Sequence, residues 1–240
     1  MKPFLLFLFT ICLSFVSYTQ TPVRMTFRAG MNFAQISGVG MQGFNKFGAI
    51  GGLGVSWRFK PRFSFEPEIV YSMKGARRNP DPDNGDYSSY TIETDYIEIP
   101  AMFSWHIDKK DRFTLDFGAT FGFLIRQRVT QNGGELTQGR GFQIFELGLA
   151  IGAAYHINHN WAFQFRFQNS IIPIKPYASG QTAILPLWGI IRIGEVHSVI
   201  SLSLQYAFRL QKPLPKDQRP VKEKKTKERK IKSDVIDEDD

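Results

Sequence analysis

Three carboxylates, Glu66, Glu68 and Glu98, fall in two short stretches whose polarity alternates, and their chemistry depends on what shares their face. In "FSFEPEIVYSMKG" (63–75), Ser64, Glu66, Glu68, Val70, Ser72 and Lys74 alternate with Phe63, Phe65, Pro67, Ile69, Tyr71 and Met73. A period of two is the signature of a β-strand, so the glutamates and the lysine share one side and the aromatics the other. The same parity rule, applied to the other alternating stretches, adds Arg24, Arg28, Arg58, Arg112, Asp116, Arg126, Glu146, Gln164, Arg166, Gln205 and Arg209 to the polar set. Charges of both signs on one enclosed face suit either a structural ion-pair network or a narrow, proton-linked solute path, because an unpaired buried charge is costly.

Two further groupings could do chemistry. Asp81, Asp83, Asn84 and Asp86 in "NPDPDNGDYSSY" (79–90) have the alternate oxygens of a weak calcium loop. Gly85 stands where another oxygen ligand belongs and no glutamate closes the loop, so a solvated turn is the better expectation. Glu195, His197 and Ser198 supply an acid, a base and a hydroxyl, but adjacency in sequence does not make them converge. The single cysteine, Cys12, lies in an apolar leader. The expectation is therefore no catalytic residue, no metal, no cofactor and no enzymatic activity.

The elements that must position these groups are eight alternating segments: 23–35, 46–59, 62–74, 93–107, 112–126, 143–157, 161–171 and 197–209. Each is long enough to cross a bilayer at a tilt, which takes about 9–11 residues. Their connections alternate between tight polar turns ("KPR" 60–62, "DKKD" 108–111, "NHN" 158–160) and long segments (36–45, 75–92, 127–142, 172–196). A soluble sandwich has no reason for that alternation; a membrane barrel has short turns on one side and longer loops on the other. Trp57, Trp105 and Trp161 each lie beside a short turn, as an interfacial aromatic girdle at the periplasmic end requires.

The expected fold is thus all-β: an eight-stranded antiparallel up-and-down transmembrane β-barrel, aromatic face towards lipid and polar face inward. An interior of eight strands is just wide enough for its own side chains to fill, which favours the ion-pair plug over the solute path. Pro67 and Pro100 come near each other in a simple antiparallel register, and because proline lacks a ladder N–H a bulge is expected there.

The ends of the chain carry separate signals. "MKPFLLFLFTICLSFVSYTQ" has Lys2, an apolar run and small residues at Ser17 and Thr19, the pattern of a signal peptide over 1–19. The barrel is expected over 20–210, and 211–240 as a charged periplasmic tail. The formal charge is +8 overall, and Lys212–Lys232 holds ten Lys/Arg against three acids before the acidic "SDVIDEDD". Such a run can contact nucleic acid, but export excludes that partner. Loop 172–196, with Ile184, Leu185, Leu187, Trp188, Ile190 and Ile191, is unusually apolar for an exposed loop. The loop is expected to fold over the barrel mouth or to extend the strands, and the tail to be solvated; contact with envelope or secretion proteins through 172–196 and 211–240 is the alternative.

The stretches "RAGMNFAQISG" (28–38), "FSFEPEIVYSMKGA" (63–76), "DYIEIPAMFSW" (95–105), "LDFGATFGFLI" (115–125) and "ELGLAIGAAYHINHNWAFQFRFQNSI" (146–171) resemble the PorT-like family of outer-membrane β-barrels. The resemblance implies residence in the outer membrane of a Gram-negative cell, contact with outer-membrane lipid, and no shared catalytic residues. Its implied role is surface interaction or envelope integrity through the outer loops, with accessory service to a type IX protein-secretion apparatus or a narrow channel as alternatives.

Overall fold

The computed structural model describes residues 23–38, 41–108, 111–136, 141–176, 183–184, 191–192 and 194–209. Eight long strands dominate: β1 (Val23–Ser37), β2 (Met41–Lys60), β3 (Phe63–Arg78), β4 (Tyr90–His106), β5 (Phe113–Gln131), β6 (Phe145–His156), β7 (Trp161–Ser170) and β8 (Gly194–Arg209). Each pairs antiparallel with the next, and β1 pairs with β8 as well as β2, so the sheet closes into a ring with no free edge. Closure leaves no open sheet edge in the wall, the condition for crossing hydrocarbon with strands. The expected eight-stranded up-and-down barrel is what forms.

Parity holds along most of the wall. Outward positions carry Phe27, Leu53, Ile69, Phe103, Phe117 and Phe163, each more than two-fifths exposed, while inward positions such as Asn32, Ser72, Ser104 and Ser203 are buried. An apolar exterior around a polar interior inverts the pattern of a soluble protein and fits a wall solvated by lipid. Small inward residues are what the tight curvature demands. A Cβ added to Gly118 would meet the Ala101 carbonyl oxygen at 2.1 Å, and one on Gly30 would meet that of Leu202 at 2.1 Å.

Strand ends differ from the sequence expectation at the long-loop rim. β2 starts at Met41, β3 runs on to Arg78, β4 starts at Tyr90 and β5 continues to Gln131. Alternation fades there, because the sheet rises past lipid and the outward face no longer has to be apolar.

The bulge expected at the prolines is a correction. Register between β3 and β4 is constant through them, from Pro67 opposite Ala101 to Val70 opposite Glu98. The ladder merely lapses over residues 68–69 and 99–100, since a missing donor removes hydrogen bonds without adding a residue. True register shifts lie at Ala34/Ile36, Arg58/Lys60 and Asp95/Tyr96. The last leaves Ile125 without an opposite number and reverses the parity of β5 beyond it. The leader 1–19 and the tail 211–240 lie outside the described residues.

Candidate functional site in the barrel lumen

Inward side chains stack in layers. At the short-turn mouth Arg24, Arg58, Glu66, His106, Asp111, Arg112 and His156 line a cavity of about 510 Å³. Arg58 Nη1 donates to Asp111 Oδ2 at 2.8 Å, and its Nη2 approaches the His106 ring nitrogens at 3.1 and 3.2 Å. Thr114 Oγ1 lies 3.3 Å from His106 Nδ1 and 3.0 Å from His156 Nε2. Arg24 donates to the His159 carbonyl at 3.1 Å, and Glu66 accepts from Ser56 at 2.8 Å and Ser64 at 3.3 Å. Burial in the turn tends to raise the Asp111 carboxyl, but the hydrogen bond and charge of Arg58 prevail and hold it below its ordinary range.

Above this vestibule the lumen is filled by buried ion pairs. Glu68 lies between two guanidinium groups: Arg28 Nη2 at 2.8 Å and Arg166 Nη2 at 3.1 Å, all three side chains at most 4% exposed. Arg28 also donates to Gln164 Oε1 at 3.1 Å, and Gln164 passes the chain on to Asp116 Oδ2 at 2.7 Å. The next layer centres on Lys74. Its ammonium contacts Glu98 Oε1 at 2.6 Å and Glu146 Oε1 at 3.0 Å, and none of the lysine side chain is exposed. Glu146 further accepts from Ser170 at 2.6 Å and contacts His197 Nδ1 at 3.1 Å, while Gln168 donates to Glu98 at 2.8 Å. Opposite charges in contact, each with added hydrogen bonds, are the arrangement under which buried ions are tolerated.

At the long-loop end polarity stops. Ile36, Ala76, Ile92, Phe142 and Ile174 form a buried cluster, with Tyr90 and Leu124 packed against it. Five strand residues and two loop residues thus cap the ionic layers with an apolar lid.

Of the residues selected from parity, Arg28, Glu68 and Arg166 meet, Glu98 and Glu146 meet through Lys74, and Asp116 joins through Gln164. Glu66, Arg24, Arg58 and Arg112 line the vestibule instead. The side chain of Arg209 lies outside the described residues. Arg126 is corrected outright. The extra residue Ile125 sets it opposite Asp95 on the outer wall, half-exposed, with Nε 2.7 Å from Asp95 Oδ2. Tyr96, Gln168 and Ser170 are site members that a charge-weighted reading passes over, although inward parity includes all three.

The other groupings separate. Ser198 turns outward and accepts from Asn169 at 2.7 Å, while His197 points inward to Glu146 and Thr94, so His197 and Ser198 do not join in one acid–base–hydroxyl array with Glu195. In the 79–90 loop, Asp81 and Asp86 are bridged through their backbones around Gly85. Asp86 accepts from Ser88 and pairs with Arg78 at 3.4 Å. Among the described residues no His/Cys/Asp/Glu group could hold a metal ion, so Asp81, Asp83 and Asp86 do not form the calcium loop. Trp57, Trp105 and Trp161 point outward at the short-turn end, 37–41% exposed, with Trp161 against Tyr206 and Trp57 against Phe59. In loop 172–196 the stretches 177–182, 185–190 and 193 lie outside the described residues.

Solved structures similar to this chain include Ail, the attachment invasion locus protein of Yersinia pestis, determined in complex with the heparin analogue sucrose octasulfate. Its TM-score is 0.45 at 11% identity, over 78% of this chain and 99% of its own. Neisserial surface protein A gives 0.41 at 13% identity over 78% and 97%. OprG of Pseudomonas aeruginosa gives 0.37 at 12% over 78% and 97%. No curated protein sequence matches this one. The family profile described as outer membrane protein beta-barrel domain matches residues 18–175, well over half of the chain. With the closed ring of eight strands already described, the chain belongs to that family, and its place is the outer membrane of a Gram-negative cell.

Proposed function

We propose that the protein is a non-conducting, non-enzymatic scaffold of the outer membrane, acting through its outer rim in surface interaction or envelope integrity. The observation that carries this reading is the sealed lumen. Two ion-pair layers fill the middle, and the apolar cluster of Ile36, Ile92, Phe142 and Ile174 lies above them. A hydrated ion would have to break contacts of 2.6–3.1 Å and then cross an apolar layer. The vestibule at the other end is a blind recess. Purified protein in planar bilayers is expected to give no unitary currents; discrete conductance steps would replace this reading with the narrow channel.

Accessory service to a protein-secretion apparatus is a second reading, favoured by the PorT-like pair of motifs "F-x-P-E" and "Y-I-E-I-P". The two motifs lie on the neighbouring strands β3 and β4, staggered along them. If it holds, deletion of the chain lowers secreted cargo, and envelope proteins co-purify with it in a manner that depends on 172–196 or 211–240. An unchanged partner set on removal of 211–240 would make that segment a passive extension.

A further inference from the structure

The parity reversal at Ile125 has a second effect besides removing Arg126 from the lumen. It builds a charged patch on one side of the outer wall. Across β3, β4 and β5 the outward positions form rows. The first is Tyr71, Ile97 and Phe123. Above it come Met73, Asp95 and Arg126, then Gly75, Glu93 and Arg128, then Arg77, Thr91 and Thr130. The first row is the last apolar one.

The level of the patch follows from strand geometry. Asp95 stands ten residues above Trp105 on β4. Ten residues rise about 34 Å along a strand, or about 26 Å along the barrel axis at a tilt of about 40°. That matches an apolar band about 25 Å tall. With Trp105 at the inner interface, Arg126 sits at the outer one, and Arg128 and Arg77 stand above it among the headgroups.

The acids of the patch are already engaged. Asp95 is 3% exposed and takes the Tyr71 hydroxyl at 2.7 Å as well as Arg126 Nε. Glu93 takes Lys46 at 2.9 Å. Arg126 nevertheless leaves 52% of its side chain exposed, and Arg128 leaves 49% while its Nε stands 3.4 Å from Glu135. Arg77 is exposed and forms no ion pair among the described residues. At the same level on the far side of the ring, Gln35, Ser198 and Asn169 are neutral neighbours. The three arginines are therefore confined to one sector.

We propose that this sector binds the phosphorylated headgroup of an outer-leaflet glycolipid, with the phosphate held by Arg77, Arg126 and Arg128. Its acyl chains would lie on Ile97, Ile99, Phe121 and Phe123. Guanidinium forks match phosphate oxygens bidentately. Their position directly above an apolar wall selects a lipid over a soluble phosphate, because only the lipid fills both surfaces.

The test is lipid retention by the folded full chain, read by native mass spectrometry. The probes are phosphorylated lipid A and the same lipid after enzymatic dephosphorylation. The phosphorylated form is expected to bind about tenfold more tightly or better. The ratio should collapse towards unity in Arg77→Gln/Arg128→Gln, and partly in either single variant, while Lys60→Gln/Arg62→Gln at the opposite rim preserves it. Excess inorganic phosphate should leave the lipid bound. Neither arginine of the double variant has a buried partner, and folding is scored separately by heat-modifiable mobility. Should the double variant not fold, the wild-type ratio and the single variants decide. Equal binding of the two lipid forms, an unchanged ratio without the arginines, an equal loss in the opposite-rim variant, or displacement by inorganic phosphate overturns the proposal.

Discussion

Lys74→Met is the sharpest test of the sealed lumen. The ammonium stands 2.6 Å from Glu98 and 3.0 Å from Glu146, in a side chain with no exposure. Methionine fills nearly the same volume, so little is lost in packing; what is lost is the countercharge of two buried carboxylates. Breaking a buried pair costs about 3–5 kcal/mol, because the remaining charge is left without compensation. At a urea slope of about 2 kcal/mol/M, the unfolding midpoint should fall by about 2 M. Heat-modifiable mobility on a gel, read across a urea series in phospholipid vesicles, measures that midpoint directly. The triple variant Lys74→Met/Glu98→Gln/Glu146→Gln isolates the cause. It keeps acceptor oxygens for Gln168 and Ser170, which now donate to Glu98 and Glu146, but removes both charges, and should recover most of the loss. A midpoint lowered by less than about 0.5 M in the single variant would mean that water screens the site. The lumen would then be wet and the non-conducting reading would fail with it. A triple variant no better than the single would show that shape, not charge, governs the layer.

Arg166→Met should cost less than Lys74→Met, about 1–3 kcal/mol on the same assay, since Glu68 keeps Arg28 at 2.8 Å; an equal or larger loss would mean that the two layers act as one unit. Gly118→Ala should abolish or severely reduce the folded band in refolding, because its Cβ would stand 2.1 Å from a backbone oxygen that cannot step aside; normal folding would show the wall to be more pliant than its geometry. The depressed Asp111 carboxyl gives a pH signature. A carboxyl below its unfolded value stabilises the fold above about pH 4, and that contribution fades as the pH drops through its lowered value. With 45% of that side chain exposed, the effect is at most a few tenths of a kcal/mol. Asp111→Asn, which tolerates the left-handed φ of 55°, should slightly lower the melting temperature at pH 7 and leave it unchanged near pH 2; an equal decrement at both pH values would rule out the ion pair as the cause.

Legibility in this sequence tracks how much of the chain lipid constrains. Between the short turns and about Phe123 every outward position must be apolar, so alternation is strong enough to yield strand number, direction and facing. Lys74 and Glu146 could be placed inside because neighbours two residues away, Ser72 and Gly148, obey the same rule. Which charges meet was not legible. Partners such as Arg28 and Glu68 come from non-adjacent strands, and their contact depends on shear around the ring, which no single strand records. A lid from loop 172–196 was expected, but the strand residues that complete it were not, for a related reason. Ile36 and Ile92 lie where the interior stops being polar, and a rule that assigns polar residues inward has no place for them.

The two irregularities argue the same point from opposite sides. Pro67 and Pro100 are conspicuous in sequence, yet they leave the register intact, because deleting a donor subtracts a hydrogen bond and nothing else. Ile125 is inconspicuous, one apolar residue in "FGFLIRQRV", yet it shifts the register by one and turns every later side chain on β5 to the other face. An unpaired extra residue is invisible to periodicity when the residue before it is also apolar, as Leu124 is here. What could have marked it is the sequel. Arg126 and Arg128 continue the inward parity of Asp116, and would add two more cations to a lumen that already holds Arg28, Lys74 and Arg166. Charge balance within each layer therefore constrains register where hydrophobic alternation no longer does. The residues that fail the balance are the ones to look for on the wall.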